Sequence, residues 1–307
     1  MTEDTPSSVP GTGRDETPTG VLVVDKPTGL TSHDVVDQAR RALGERGIGH
    51  SGTLDPLATG VLVLLVGRAR RIQELLMKRR KEYHAVVVLG ATSHTDDAEG
   101  PIEVTPGARY PSQEEVESAL LEFTGTIQQR PPAFSSVHSG GQRAWQRARR
   151  GESVELPERS VLVEELELLE FEPQRLSLRV RAGKGFYVRS LARDLGERLT
   201  VGGYLGGLRR TRCGGFALAD AIDLADLSPE SVLPLARALA TEARVDLASD
   251  QFEALVSGAF VPCEIVDGPG AAEADPAHCP LFAWIAGRPV ARVRAVPGGV
   301  RSRGLLL

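Results

Sequence analysis

The stretch GIGHSGTLDPLATGVLVLLVG, Gly47 to Gly67, constrains the fold more than any other part of the chain. Its second half, GVLVLLVG, is short, β-branched and bounded by glycine, so it predicts a buried strand. Its first half satisfies G-x-G-x-x-G through Gly47, Gly49 and Gly52. A dinucleotide site needs a strand before those glycines and a helix after them, so that helix amides meet the pyrophosphate. Here the order is reversed. Upstream, TSHDVVDQARRALG carries cap-type Thr31 or Ser32, apolar residues near helical spacing and a stop at Gly44, which predicts a helix. One acid, Asp55, stands between the glycines and the strand.

A chain of 307 residues with 41% hydrophobic and 25% charged residues accommodates one large domain and a small one. No apolar run reaches the length of a membrane span. The amino-terminal MTEDTPSSVPGTGRDETPTG lacks the basic start and apolar stretch of a secretory signal. The expectation is a cytoplasmic protein with a disordered tail over residues 1–19. Cys213, Cys263 and Cys279 are odd in number and far apart, and the six histidines form no HExxH pair, so inert thiols and no metal are expected.

The net charge of −5 hides basic clusters: Arg68, Arg70 and Arg71 with Lys78 to Lys81, then Arg143 to Arg150, then Arg209, Arg210 and Arg212. Three such clusters in an acidic chain point to a polyanionic partner.

Further along, GVLVVDKPTGLTS reads as a strand and turn, RIQELLMKRR as a helix and KEYHAVVVLG as a strand. SQEEVESALLEFTG has a serine cap, an acidic first turn and a glycine stop. RLSLRVR alternates, so Arg175 to Arg181 is a half-exposed antiparallel strand. FYVRSLARDLGERL predicts a helix starting between Tyr187 and Ser190. Arg189 then occupies the first turn, where the macrodipole disfavours a cation by roughly a few tenths of a kcal/mol. A partner carboxylate nearby would supply the reason. SDQFEALVSG and PLFAWIAGRPVARVRAV open and fill a small β-rich module, so the expected units are 20–245 and 246–307.

These motifs together resemble the bacterial TruB-type tRNA pseudouridine-55 synthases. The matches are LVVDKPTGLTS, GHSGTLDPLATGVLVLLVG, KEYHAVVVLG, DDAEG, QRPPAFSSVHSGGQRAWQRARRG, GKGFYVRSLARDLGERL and LRRTRCGGF, in the family's order, from Val21 to Ala219. The resemblance implies an α+β fold, with a catalytic domain of antiparallel sheet and flanking helices and a PUA-like RNA-binding module after it. It implies a cofactor-free isomerisation of uridine in the T loop of tRNA, carried out by a monomer away from any membrane.

It also implies roles. Asp55 would be the catalytic aspartate, Arg189 its partner and Tyr83 the tyrosine that packs on the base and handles the proton at carbon 5. Tyr187 and Leu208 would line the pocket of the flipped uracil, His50 would enter the T loop, and Asp97 would belong with the substrate-binding residues. Lys26 and Pro27 would support the active-site loop. Chemistry agrees independently: breaking a glycosidic bond builds positive character at the sugar carbon, which an ionised carboxylate captures or stabilises. Departures from the family pattern are His94 for aspartate, His138 for lysine and Trp145 for tyrosine.

Two other readings share some of these features. A tRNA-binding or tRNA-folding protein of the same fold would use the same basic clusters. An aspartyl phosphatase would need an acid two residues after Asp55, where Leu57 stands.

Overall fold

The computed structural model describes residues 18–139, 141–263 and 280–306. Most of the expected tail, and His278 with Cys279, lie outside the described residues.

The first elements are β1 (Gly20–Lys26), α1 (Ser32–Leu43), β2 (Ile48–His50), β3 (Thr59–Val66), α2 (Gln73–Lys78) and β4 (Lys81–Leu89). A hairpin of β5 (Ala91–Ser93) and β6 (Ile102–Val104) leads to α3 (Gln113–Glu122) and β7 (Gly125–Gln129). Then come β8 (His138–Ser139), β9 (Gln142–Arg143), α4 (Ala144–Ala148), β10 (Arg159–Glu172), β11 (Arg175–Ala182), α5 (Val188–Arg198) and β12 (Gly203–Cys213). The short β13 (Phe216–Ala217), β14 (Ile222–Asp223) and β15 (Leu233–Pro234) precede β16 (Ala243–Leu247), β17 (Phe260–Pro262), β18 (Leu281–Ile285), β19 (Arg288–Val296) and β20 (Gly299–Leu305).

Local sequence accounts for the helices. Thr31 and Asp34 form a reciprocal capping box on α1, and Gly44 closes it with a left-handed φ of 65°. Ser112 and Glu115 cap α3 in the same way. The region after β3 is helical for less of its length than expected, because Gly67–Ile72 forms 3-10 turns before α2.

The large sheet runs β14-β1-β3-β12-β4-β11-β10-β7. Strand β3 lies inside it and is apolar throughout because both faces are covered. Val61, Val63 and Leu65 enter one core cluster, and Leu62, Leu64 and Val66 enter another. By contrast β11 sends Leu176, Leu178 and Val180 into a core and turns Ser177, Arg179 and Arg181 outward, as its alternation predicts.

One expectation needs correction: the sheet is mixed rather than antiparallel. Strand β12 runs parallel to β3 at Arg209–Thr59 and Arg210–Gly60, and β14 runs parallel to β1. Strands as distant in sequence as Val61 and Arg210, 149 residues apart, escape the hairpin geometry that enforces antiparallel pairing. Gly60 makes the parallel joint possible. Its φ is 97°, and a Cβ there would lie 2.2 Å from the Arg210 carbonyl oxygen.

The second sheet has the order β16-β18-β19-β20-β17. Strand β16 begins at Ala243 and pairs with β18, so the expected division at 245 falls within that strand. Val245 and Leu247 fill this sheet's own core, which ties the strand to it. The two sheets touch through Phe282, Trp284 and Leu306, which share a cluster with Val21, Val23 and Leu235. Among the described residues no helix is long and apolar enough to cross a membrane.

Candidate active site

Asp55 lies on the loop between β2 and β3, and the segment after β1 grips that loop from behind. Ser32 Oγ accepts from Leu54 N at 2.7 Å and donates to Leu54 O at 3.0 Å. Lys26, fully buried, donates from Nζ to the carbonyls of Pro27 at 2.8 Å and Pro56 at 3.3 Å. Gly29 N donates to Pro56 O at 2.9 Å. Burial pushes the Lys26 ammonium below the usual lysine range, and the charge of Asp55 opposes that shift. Thr31 is the helix cap, which leaves Ser32 free to hold Leu54.

Arg189 sits in the first turn of α5 and is 6% exposed. Its Nε lies 3.0 Å from Asp55 Oδ2 and its Nη1 3.5 Å from Asp97 Oδ2. The remaining donors reach Thr95 O at 3.1 Å and Phe134 O at 3.0 Å. Two carboxylates therefore offset the unfavourable place of a cation at a helix start. Asp97 is 2% exposed and accepts from Thr95 Oγ1 at 2.5 Å and Glu99 N at 3.1 Å, so its place is behind Arg189. The Asp55 side chain is 38% exposed, against 7% for Arg189. Desolvation pushes its carboxyl above the ordinary aspartate range. Arg189 opposes this, Asp97 adds to it and Lys26 opposes it.

Tyr83 and Leu208, on neighbouring strands β4 and β12, pack against two core clusters at once and so occupy the seam between them. Burial raises the Tyr83 phenol above its usual range, with Arg210 opposing. The charge of Asp55 adds to the upward push of burial on both phenols, Tyr83 and Tyr187. Tyr187 caps α5 and is locked by Gln129, which accepts from its N–H at 2.8 Å and donates to its carbonyl at 3.1 Å. Its ring packs with Val137, Ala144 and Leu156.

His50 sits apart from this cluster. Gly52 N donates to its Nδ1 at 3.3 Å, placing the imidazole hydrogen on Nε2, and Gln73 holds its carbonyl at 3.0 Å. Burial lowers its pKa, with Arg210 adding to that, so the ring is neutral at pH 7. Pro27 is exposed at the turn and contributes its carbonyl to Lys26. Among the described residues no group of three His, Cys, Asp or Glu side chains is arranged to hold a metal ion.

The structure thus brings Asp55 and Arg189 together, with Asp97 behind them. A profile of the TruB family pseudouridylate synthase N-terminal domain matches residues 40–188, and one of the tRNA pseudouridylate synthase B C-terminal domain matches 189–240. The tRNA pseudouridine synthase B of Corynebacterium efficiens is 46% identical over 220 residues, 70% of this chain and 74% of that protein. This chain belongs to the TruB family of pseudouridylate synthases.

The Mycobacterium tuberculosis member of the TruB family is 40% identical over 256 residues, covering 81% of this chain and 86% of its own. Among solved structures, a Cbf5-Nop10-Gar1 complex matches with a TM-score of 0.74 and 25% identity, over 95% of this chain and 86% of that one. An H/ACA RNP bound to a substrate RNA containing 2'-deoxyuridine matches in fold, with a TM-score of 0.73 and 23% identity. The family's C-terminal profile covers α5, which packs on the large sheet, and β12, one of its strands, and stops before β16.

Against this TruB family background, the basic clusters read differently from the sequence expectation. Lys81 and Arg210 are buried. Arg80 pairs with Glu164, Arg79 with Glu242, Arg209 with Asp25 at 2.6 Å, and both Arg147 and Arg150 with Glu152 at 2.7 Å. Cluster density in sequence says nothing of the acids that the fold brings alongside.

Sequence reasoning also missed Ser32 and Thr95 as supports, because each acts through backbone or side-chain oxygen on a residue elsewhere. Of the departures from the family pattern, His94 comes nearest to the chemistry. Its ring stands edge-on to Phe134, 5.5 Å between centroids, and the Phe134 carbonyl binds Arg189. Trp145 carries Arg149 over its ring at 5.1 Å, and His138 pairs with Arg143 in the β8–β9 hairpin.

Proposed function

We propose that this chain converts uridine to pseudouridine at position 55 in the T loop of tRNA, acting as a cytoplasmic monomer without cofactor. The observation that carries the reading is the Asp55 carboxylate, held 3.0 Å from Arg189 and partly exposed, in a member of the TruB family. The target base leaves its stack, which costs about a few kcal/mol, and Tyr83, Tyr187 and Leu208 receive it between aromatic and apolar surfaces. The bond from the sugar to uracil N1 breaks with Asp55 ionised. Uracil turns, a bond forms from the sugar to carbon 5, the carbon 5 proton leaves by way of Tyr83, and N1 gains a proton. No atoms or electrons pass to another reactant.

Asp97 and Lys26 act one step back, Asp97 on Arg189 and Lys26 on the loop backbone. His50 fills space that the base vacates. The second sheet serves as a PUA-like RNA-binding unit.

The test is tritium release from tRNA labelled at carbon 5 of uridine. The natural protein is expected to release label from the T loop, and Asp55→Ala to be slower by about 10^4-fold or more. Absence of release from the natural protein, with tRNA binding intact, would leave the tRNA-folding reading in its place. Binding should weaken with rising salt in proportion to the phosphates contacted, and a flat response would remove the phosphate-tracking surface.

A further inference from the structure

Arg210 belongs by sequence to an exposed basic cluster, yet its side chain is only 1% exposed, among the largest fully buried in the molecule. Its Nε donates to Val61 O at 2.6 Å and its Nη2 to Gly52 O at 3.1 Å, while Nη1 lies 3.5 Å from Thr53 O. Across the sheet Arg210 is in register with Tyr83 on β4, and its charge opposes the upward push of burial on that phenol. Among the described residues no carboxylate pairs with it. Burying a cation without a counter-charge costs several kcal/mol, and an apolar side chain of similar volume would fill such a seat more favourably. Core packing therefore does not explain an arginine here.

What it touches does. Strand β12 lies between β3 and β4, and Arg210 is in register with Gly60 on one side and Tyr83 on the other. Its backbone is fixed by the close approach that only a glycine at position 60 permits. From that fixed point the fork of donors reaches the backbone that leads into Asp55, on a strand whose other neighbour carries Tyr83 in register. We infer that Arg210 is a positioning residue for the reaction: it clamps the Asp55 loop to the β12 backbone beside Tyr83, setting the separation of the two. This rests on the reading of Asp55 and Tyr83 given above.

The groups facing Tyr83 are consistent with that role. Arg210 opposes the upward push of burial on the phenol, whereas Cys213 on β12 and Asp55 on the loop reinforce it.

The experiment compares the natural protein, Arg210→Lys, Arg210→Gln and Tyr83→Phe in single-turnover tritium release, tRNA affinity and urea unfolding. Arg210→Lys keeps the charge but loses the fork. It is expected to fold, to bind tRNA within about twofold of the natural protein, and to react about 10- to 100-fold more slowly, the scale of a misplacement near 1 Å. Arg210→Gln is expected to move the ultraviolet titration of Tyr83, isolated by difference from Tyr83→Phe, to higher pH. A natural rate in folded Arg210→Lys, or a loss that merely tracks tRNA affinity or folded fraction, would overturn the assignment.

Should neither Arg210 variant fold, nitrogen-15 spectra of the arginine side chains in the full-length natural protein decide. Protected Arg210 resonances that shift in Tyr83→Phe support the clamp, and resonances unmoved by that change refute it. If the natural protein released no tritium, the reading of the reaction would fail, and the phenol titration and arginine spectra would still judge the clamp.

Discussion

The start of α5 and the joint between β3 and β12 each bury an arginine, and they do so by opposite means. Arg189 meets two carboxylates, at 3.0 and 3.5 Å, one of them partly exposed. Arg210 meets backbone carbonyls and no carboxylate among the described residues. The first arrangement delivers a held negative charge to the surface where a substrate can reach it. The second turns positive charge inward to fix backbone. Burial alone thus does not distinguish a group that faces chemistry from one that holds it in place.

The largest expected effect comes from removing the cation at the first site. Arg189→Met leaves two carboxylates without their partner, and urea unfolding should register a loss of about 3–5 kcal/mol. It also shifts the pH dependence in a defined direction. In the proposed reaction Asp55 acts ionised, and burial raises its pKa, so the rate should fall as pH drops through a value above the ordinary aspartate range. Arg189 opposes that rise; without it the acid arm of the rate profile should move to higher pH. An unmoved arm in a folded variant would separate Arg189 from Asp55.

Asp97→Asn sharpens the comparison from the other side. It removes a like charge that raises the Asp55 pKa, so the acid arm should move to lower pH, while unfolding loses about 2–3 kcal/mol with the charged hydrogen bonds. Ser32→Ala touches only the loop's anchoring and should cost about 1–2 kcal/mol, read by the same unfolding measurement, with a modest fall in rate.

The smallest effect belongs to Arg209→Ala, next to the buried arginine. Its partner is Asp25 in a pair with side chains 43% and 26% exposed, so stability should change by about 0–1 kcal/mol and tritium release should not change. If Arg209→Ala and Arg210→Lys behaved alike in that assay, the contrast between adjacent residues would dissolve.

Much of the fold was legible in the sequence because it is encoded locally. The Thr31 and Ser112 caps, the Gly44 stop, the alternation of β11 and the start of α5 at Val188 all follow from patterns within one element. The site was legible where a residue sat in an unfavourable place that demanded a partner, as Arg189 does at a helix start. The pairing direction of β12 and the membership of β16 in the second sheet were not legible, since both depend on partners far along the chain.

The sequence by itself therefore determined the elements, the family pattern and the identity of the acid between glycine loop and buried strand. The tertiary structure alone decided which charges are exposed, which acid stands behind Arg189, and that Arg210 points inward while Arg209 meets Asp25. The reason is physical. Caps and periodic burial are properties of neighbouring residues, whereas desolvation and ion pairing depend on what arrives from elsewhere, as Asp25 reaches Arg209 from 184 residues away.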